Sequence, residues 1–151
     1  ALAREPRRLE ALIQALPGSG HLPLAVDLNH ADATRQAIAA ALAEGPIHIL
    51  LNNSSGPPPG PILGATESAL LATFEQQLLA AHRLTQQLVP GMRQAGWGRV
   101  INIISTSVKE PIRGLGVSNT IRGAVASWAK TLATELAADG ITVNNVLPGY
   151  T

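Results

Sequence analysis

An α/β fold built on a doubly wound parallel sheet is the class the sequence predicts, and three observations predict it. Short apolar runs ("LPLAVDL", "IHILLN", "GRVINII", "ITVNNVL") recur along the chain. Longer stretches of helical periodicity separate them. The runs carry little charge on either parity, as strands covered on both faces do. Strand and helix in repeated alternation imply crossover connections, which join parallel strands with helices on both sheet faces.

Taken in order, "EPRRLEALIQAL" (5–16) is helical, with Pro6 at its start and Leu9, Leu12, Ile13 and Leu16 on one face, and it stops at "PGSG". "LPLAVDL" (22–28) is a buried strand. "ADATRQAIAAALAEG" (31–45) is a helix with Asp32 in its first turn and Gly45 at its end. "IHILLN" (47–52) is the next strand. The "GPPPGP" that follows is a stiff loop of polyproline type, because the alternation carries straight through it. From Thr66 to about Ala95 runs one long helical pattern, then a strand at 98–104, a polar loop, a helix over about 117–138, and a closing strand at 141–147. Repeats and dividing linkers are absent from the pattern, so one domain is expected over residues 1–151.

Composition narrows the function. With 46% apolar and 14% charged residues the chain can fill a core, and a net charge of +1 argues against nucleic acid or a membrane surface as partner. There is no cysteine, which removes disulfides and thiolate metal sites and fits a reducing, cytoplasmic setting. His21, His30, His48 and His82 show no ligand spacing, so no metal is expected. No apolar run approaches the roughly 18 residues of a membrane span, and the first residues lack a signal-peptide core. The chain begins without Met and stops just after an apolar run, so a piece of a longer protein is expected.

In open parallel sheets ligands bind beyond the carboxyl ends of the strands. The residues there are Asp27, Asn52 to Gly56, Ser105 to Ser107, and Pro148 with Gly149. Singly, each has a plainer reading as a helix cap, a turn or a loop hydroxyl.

In this order and spacing, "AVDL", "ILLNNSSG", "GRVINIIS" and "AKTLATELAADGITVNNVLPG" resemble the short-chain dehydrogenase/reductase family, in particular its 3-oxoacyl-reductase-like members. The resemblance spans essentially the whole chain. It implies a Rossmann-like nucleotide-binding fold, incomplete here: the family's first strand and Gly-rich phosphate turn precede the point where "ALAR" matches the end of a second strand.

The resemblance also assigns roles. Asp27 and Leu28 stand where the adenine is held, and Asn53 and Ser54 where the backbone passes the ribose and nicotinamide, although Ser55 replaces the family's Gly and Gly56 comes one place late. Pro148 and Gly149 match the turn beside the nicotinamide amide. Arg4 sits where the adenosine ribose is read. An Arg there favours a 2′-phosphate, so NADP(H) is preferred over NAD(H). A plainer reading leaves Arg4, Arg7 and Arg8 solvating a helix start.

Of the catalytic set only Ser105 is retained. The family's Tyr-x-x-x-Lys falls on Ser118 and Arg122, and its water-placing Asn falls on Gln77. An aliphatic hydroxyl is a poor acid compared with a phenol of pKa near 10, and a guanidinium cannot relay a proton. Arg122 can still fork onto ribose hydroxyls. Other proton sources are Lys109 after Ser105, Tyr150 after the Pro-Gly turn, and His82, which is expected to face solvent or a partner subunit. The expected function is NADP(H)-dependent oxidoreduction of a small carbonyl or alcohol. The alternative is a catalytically silent relative that binds nucleotide or serves as scaffold or sensor. The resemblance implies a homodimer or homotetramer paired through the two long helices, whose Ala- and Leu-rich faces would allow close packing.

Overall fold

The computed structural model describes residues 1–149, and Tyr150, one of the candidate proton donors, lies outside the described residues. The chain forms two compact units that divide after Gly45.

In the first unit, β1 (Leu2–Ala3) pairs in parallel with β2 (Leu24–Ala25). Of the expected strand over 22–28, Leu24–Ala25 is strand, in register with Leu2–Ala3 of β1. Helix α1 (Pro6–Ala15) has Pro at its first turn, where the missing N–H is no loss. Of its expected apolar face only Leu9 is buried; Leu12 and Leu16 are exposed. Helix α2 (Ala31–Glu44) buries Thr34, Ile38 and Ala41 and ends at Gly45.

In the second unit, β3 (Ile49–Asn52), β4 (Gly98–Ile103) and β5 (Ile141–Val146) form a parallel sheet in the order β3-β4-β5. Register aligns Leu50 with Val100 and Val143 on one face, and Leu51 with Ile101 and Asn144 on the other. The first face is the core: Leu50, Val100 and Val143 are all buried. Two long helices cover it. One comprises α3 (Glu67–Phe74), a π-type turn over Glu75–Leu79 and α4 (Ala80–Ala95); the other is α5 (Gly116–Leu136). Leu84, Leu88 and Met92 of α4 and Val125 and Ala129 of α5 complete the packing. On the opposite face Ile49 and Leu51 are exposed.

The expected single helix over 66–95 is thus continuous but not uniform. Thr66 caps it, its hydroxyl accepting from the Ala69 N–H at 3.2 Å. At its centre the Ala80 N–H reaches back to the Glu75 carbonyl, five residues away, so one extra residue is fitted into a turn. An Arg83–Glu75 ion pair of 2.6 Å bridges that widened turn.

The loop after β3 is strapped to the start of α5. The Gly60 N–H donates to the Gly114 carbonyl (2.6 Å), and the Gly116 N–H donates to the Gly60 carbonyl (3.0 Å). A Cβ at Gly116 would run into the backbone of Ile62, so only glycine permits the approach. Gly116→Ala should cost about 1–3 kcal/mol of stability through overpacking, read as a lower urea midpoint with unchanged slope.

Candidate active site at the strand ends

The three strands of the second unit each place an asparagine at the same level: Asn52, Asn102 and Asn145 are in register. Their side chains form a ladder. Asn52 Nδ2 donates to Asn102 Oδ1 at 2.8 Å, and Asn102 Nδ2 donates to Asn145 Oδ1 at 3.0 Å. Asn102 is 1% exposed. A buried amide is tolerated only when bonded, and here one amide is satisfied by both neighbours. The ladder thus ties the carboxyl ends of all three strands together beneath the loops that follow them. Asn52 was among the expected strand-end residues and Asn102 and Asn145 were not; the signal was present as an Asn near the end of each apolar run.

A cleft opens beside the ladder, lined by Asn52, Ser54, Gln77, Asn102, Arg122 and Val125 among others. Gln77 enters it from the π-type turn. The extra residue in that turn lets two successive side chains reach one point: Gln76 Nε2 donates to Ser55 Oγ (2.9 Å) and Gln77 Nε2 to the Ser55 carbonyl (3.0 Å). Gln77 is 6% exposed, and its Oε1 accepts no hydrogen bond among the described residues. One acceptor therefore remains for a water or a ligand hydroxyl.

Arg122 enters from α5. Its Nη1 donates to the carbonyls of Ile103 (3.0 Å) and Ile104 (2.8 Å), and its Nε donates to Ser118 Oγ (3.2 Å). The expected pair, Ser118 and Arg122, is therefore in direct contact, one helical turn apart. Burial removes water from the guanidinium and lowers its pKa from the ordinary value. None of the ion pairs among the described residues includes it. Nη2 alone is left unbonded among the described residues and lies 3.8 Å from where a Cβ would stand at Gly56. With Nη1 and Nε engaged, the expected fork onto two ribose hydroxyls is reduced to the two hydrogens of Nη2.

Ser105 follows β4 directly. Its extended backbone (φ −165°) turns into a short 3-10 helix, and its Oγ accepts from the Ser107 N–H at 3.1 Å. Beyond it, the Thr106 N–H donates to the Pro148 carbonyl at 3.1 Å, so the Pro148–Gly149 turn is tied to the loop that carries Ser105. Asn53 is exposed and Ser54 half-buried, both in the turn after β3.

Two expected proton donors lie elsewhere. His82 is half-buried and is not among the residues lining the cleft: Trp128 Nε1 donates to its Nδ1 at 3.2 Å, joining α4 to α5. Lys109 is exposed and lines a separate groove with Lys130, Val143 and Leu147 beside β5. In the first unit, Arg4 follows β1 and Asp27 follows β2, at the same end of that parallel pair. Arg4 is exposed, Leu28 is half-buried, and Asp27 Oδ1 accepts from the Asn29 N–H at 3.0 Å. Among the described residues no group of three or more His, Cys, Asp or Glu side chains is placed to hold a metal, and no helix is long and apolar enough to cross a membrane.

Parallel strands whose carboxyl ends carry the polar constellation define a Rossmann-like α/β fold. Comparison with known proteins assigns it further. The chain matches the short chain dehydrogenase family over residues 1–151. It is 34% identical to a putative ketoacyl reductase of Streptomyces coelicolor over 119 residues, covering 76% of this chain and 46% of that protein. With D-erythrulose reductase of Gallus gallus it shares 32% identity, covering 98% of this chain and 58% of the relative. Among solved structures, L-sorbose reductase of Gluconobacter frateurii complexed with NADPH and L-sorbose superposes with a TM-score of 0.92 at 31% identity, covering 98% and 58% of the two chains. The chain belongs to the short-chain dehydrogenase/reductase family. It spans about half the length of the curated relatives it matches.

Proposed function

We propose that this chain carries the central part of an NADP(H)-dependent oxidoreductase for a small carbonyl or alcohol, with Ser118 and Arg122 in place of the usual Tyr and Lys. The observation that carries the reading is Arg122: a half-buried cation with no carboxylate partner among the described residues, set among the neutral hydrogen-bonding groups of Asn52, Ser54 and Gln77. That surrounding suits a neutral polyhydroxyl such as a nicotinamide ribose. Nη2 of Arg122 and the open Oε1 of Gln77 supply one donor and one acceptor for its hydroxyls. NADP(H), when bound, supplies or accepts the hydride. In this assignment Asn53, Ser54, Pro148 and Gly149 border the nicotinamide half, and Asp27 and Leu28 the adenine.

The relatives' names point the same way, since ketoacyl, erythrulose and sorbose reductases all act on carbonyl compounds. Arg4 is the proposed reader of the adenosine 2′-phosphate. Fluorescence titration of the complete protein should show tighter binding of NADPH than of NADH, and Arg4→Glu should reverse the preference by about 10- to 100-fold, the worth of one charged hydrogen bond. Equal affinities before and after that change would sink the NADP(H) assignment.

The second reading, a nucleotide-binding relative without turnover, draws on the same guanidinium: three of its five donor hydrogens hold protein groups, and no phenol stands beside it. NADPH binding with no oxidation across ketoses, 3-oxoacyl thioesters and quinones would select it. Assembly through the α3–α4 and α5 helices into a dimer or tetramer, and a cytoplasmic location, complete the proposal; the 67% exposed Leu71 on α3 offers an apolar contact for such pairing.

A further inference from the structure

We infer that Gln76 and Ser55 form a positioning pair that fixes the turn bordering the nicotinamide half of the cofactor, holding Ser54 at the cleft and Gly56 clear of Arg122. The identity of the cofactor rests on the reductase reading above; the pair rests on the hydrogen bonds of this chain.

Little else holds this turn. Between Ser54 and Pro59, Ser55 alone makes hydrogen bonds among the described residues. Pro57, Pro58 and Pro59 have no N–H to give. The span is anchored at both ends, where Asn52 is bonded to Asn102 and Gly60 is strapped to Gly114 and Gly116. Its middle therefore takes its place from one residue.

Ser55 is held twice, by two bonds of different kinds. Gln77 Nε2 donates to its carbonyl at 3.0 Å, which any residue at that position would accept. Gln76 Nε2 donates to its Oγ at 2.9 Å, which requires a hydroxyl. A single bond leaves the turn free to pivot about it, and the second removes that freedom. Both donors leave the π-type turn, which the Arg83–Glu75 ion pair bridges, so the clamp is mounted on a braced element. Ser55 and Gln77 are also two places where the sequence departs from the family's pattern, and here they meet.

The neighbours of Ser55 connect the clamp to the cofactor. Ser54 lines the cleft with Gln77 and Arg122, and a Cβ at Gly56 would stand 3.8 Å from Arg122 Nη2. A pivot about the Gln77 bond draws Ser54 from the cleft or presses Gly56 onto Nη2, the donor proposed for the ribose. A turn fixed in advance spares the ligand the cost of ordering it. Gln76 is not among the residues lining the cleft, so its effect passes through Ser55.

The test uses the complete protein with NADPH and with adenosine 2′,5′-bisphosphate, which carries only the adenosine half. By isothermal titration, Gln76→Ala and Ser55→Ala should each weaken NADPH binding by about 3- to 10-fold, the range of one neutral hydrogen bond. The double variant should bind no more weakly than either single one, because both changes remove the same bond. Ser55→Thr, which keeps a hydroxyl, should bind NADPH as the wild type does. Affinity for the bisphosphate should not move in any variant, whereas a general loosening of the fold would shift it. NADPH affinity unchanged in both single variants, losses that add in the double variant, a Thr variant as weak as the Ala one, or a parallel fall for the bisphosphate overturns the positioning pair, while wild-type binding of NADPH still upholds the cofactor reading. Absence of NADPH binding by the wild type overturns both.

Discussion

Replacing Arg122 by Ala should weaken NADPH binding by about 100-fold and destabilise the protein by about 2–4 kcal/mol. The two losses have separate origins in one side chain. Nη1 satisfies the carbonyls of Ile103 and Ile104 where β4 ends, and a hydrogen bond to a charged group contributes about 1.5–3 kcal/mol. Nη2 is the part left for the ribose. Arg122→Lys separates them: an ammonium can reach the ribose or the strand end but cannot span from Ser118 to both carbonyls. The Lys variant should therefore regain part of the affinity and little of the stability. Isothermal titration with NADPH and urea denaturation read the two quantities. An Arg122→Ala protein with unchanged NADPH affinity would remove Arg122 from the cofactor site.

That Ser105 follows a strand and that Ser118 and Arg122 share one helix was legible, and the contact between those two follows from a separation of one helical turn. What Arg122 holds was not legible. Its partners are backbone carbonyls nearly twenty residues away, which carry no side-chain signature. Gln77 was placed correctly in the long helix, yet the π-type turn that sends it to Ser55 is decided by tertiary packing, since "FEQQLL" has ordinary helical propensities. His82 was expected to face solvent or a partner subunit; its bond to Trp128 joins residues 46 apart and could not be read from either helix alone. Likewise Lys109 is near Ser105 in sequence but the 3-10 turn carries it to the other groove.

Asn102→Ala should cost about 2–4 kcal/mol, because it deletes two hydrogen bonds and strands a donor on Asn52 and an acceptor on Asn145. Asn102→Leu, which refills the volume, should recover little of this, since the stranded groups remain. Converting all three asparagines to apolar residues removes every unpaired group at once, and such wholesale exchange can be close to neutral. The triple variant therefore distinguishes two roles for the ladder. If it serves stability alone, the triple variant regains both its urea midpoint and its NADPH affinity. The expected result is recovery of the midpoint without recovery of affinity. Asn52 and Asn102 line the cleft with Gln77 and Arg122, so apolar side chains there withdraw the neutral polar surroundings in which an uncompensated guanidinium can meet a ribose. Full recovery of both would confine the ladder to holding three strand ends level.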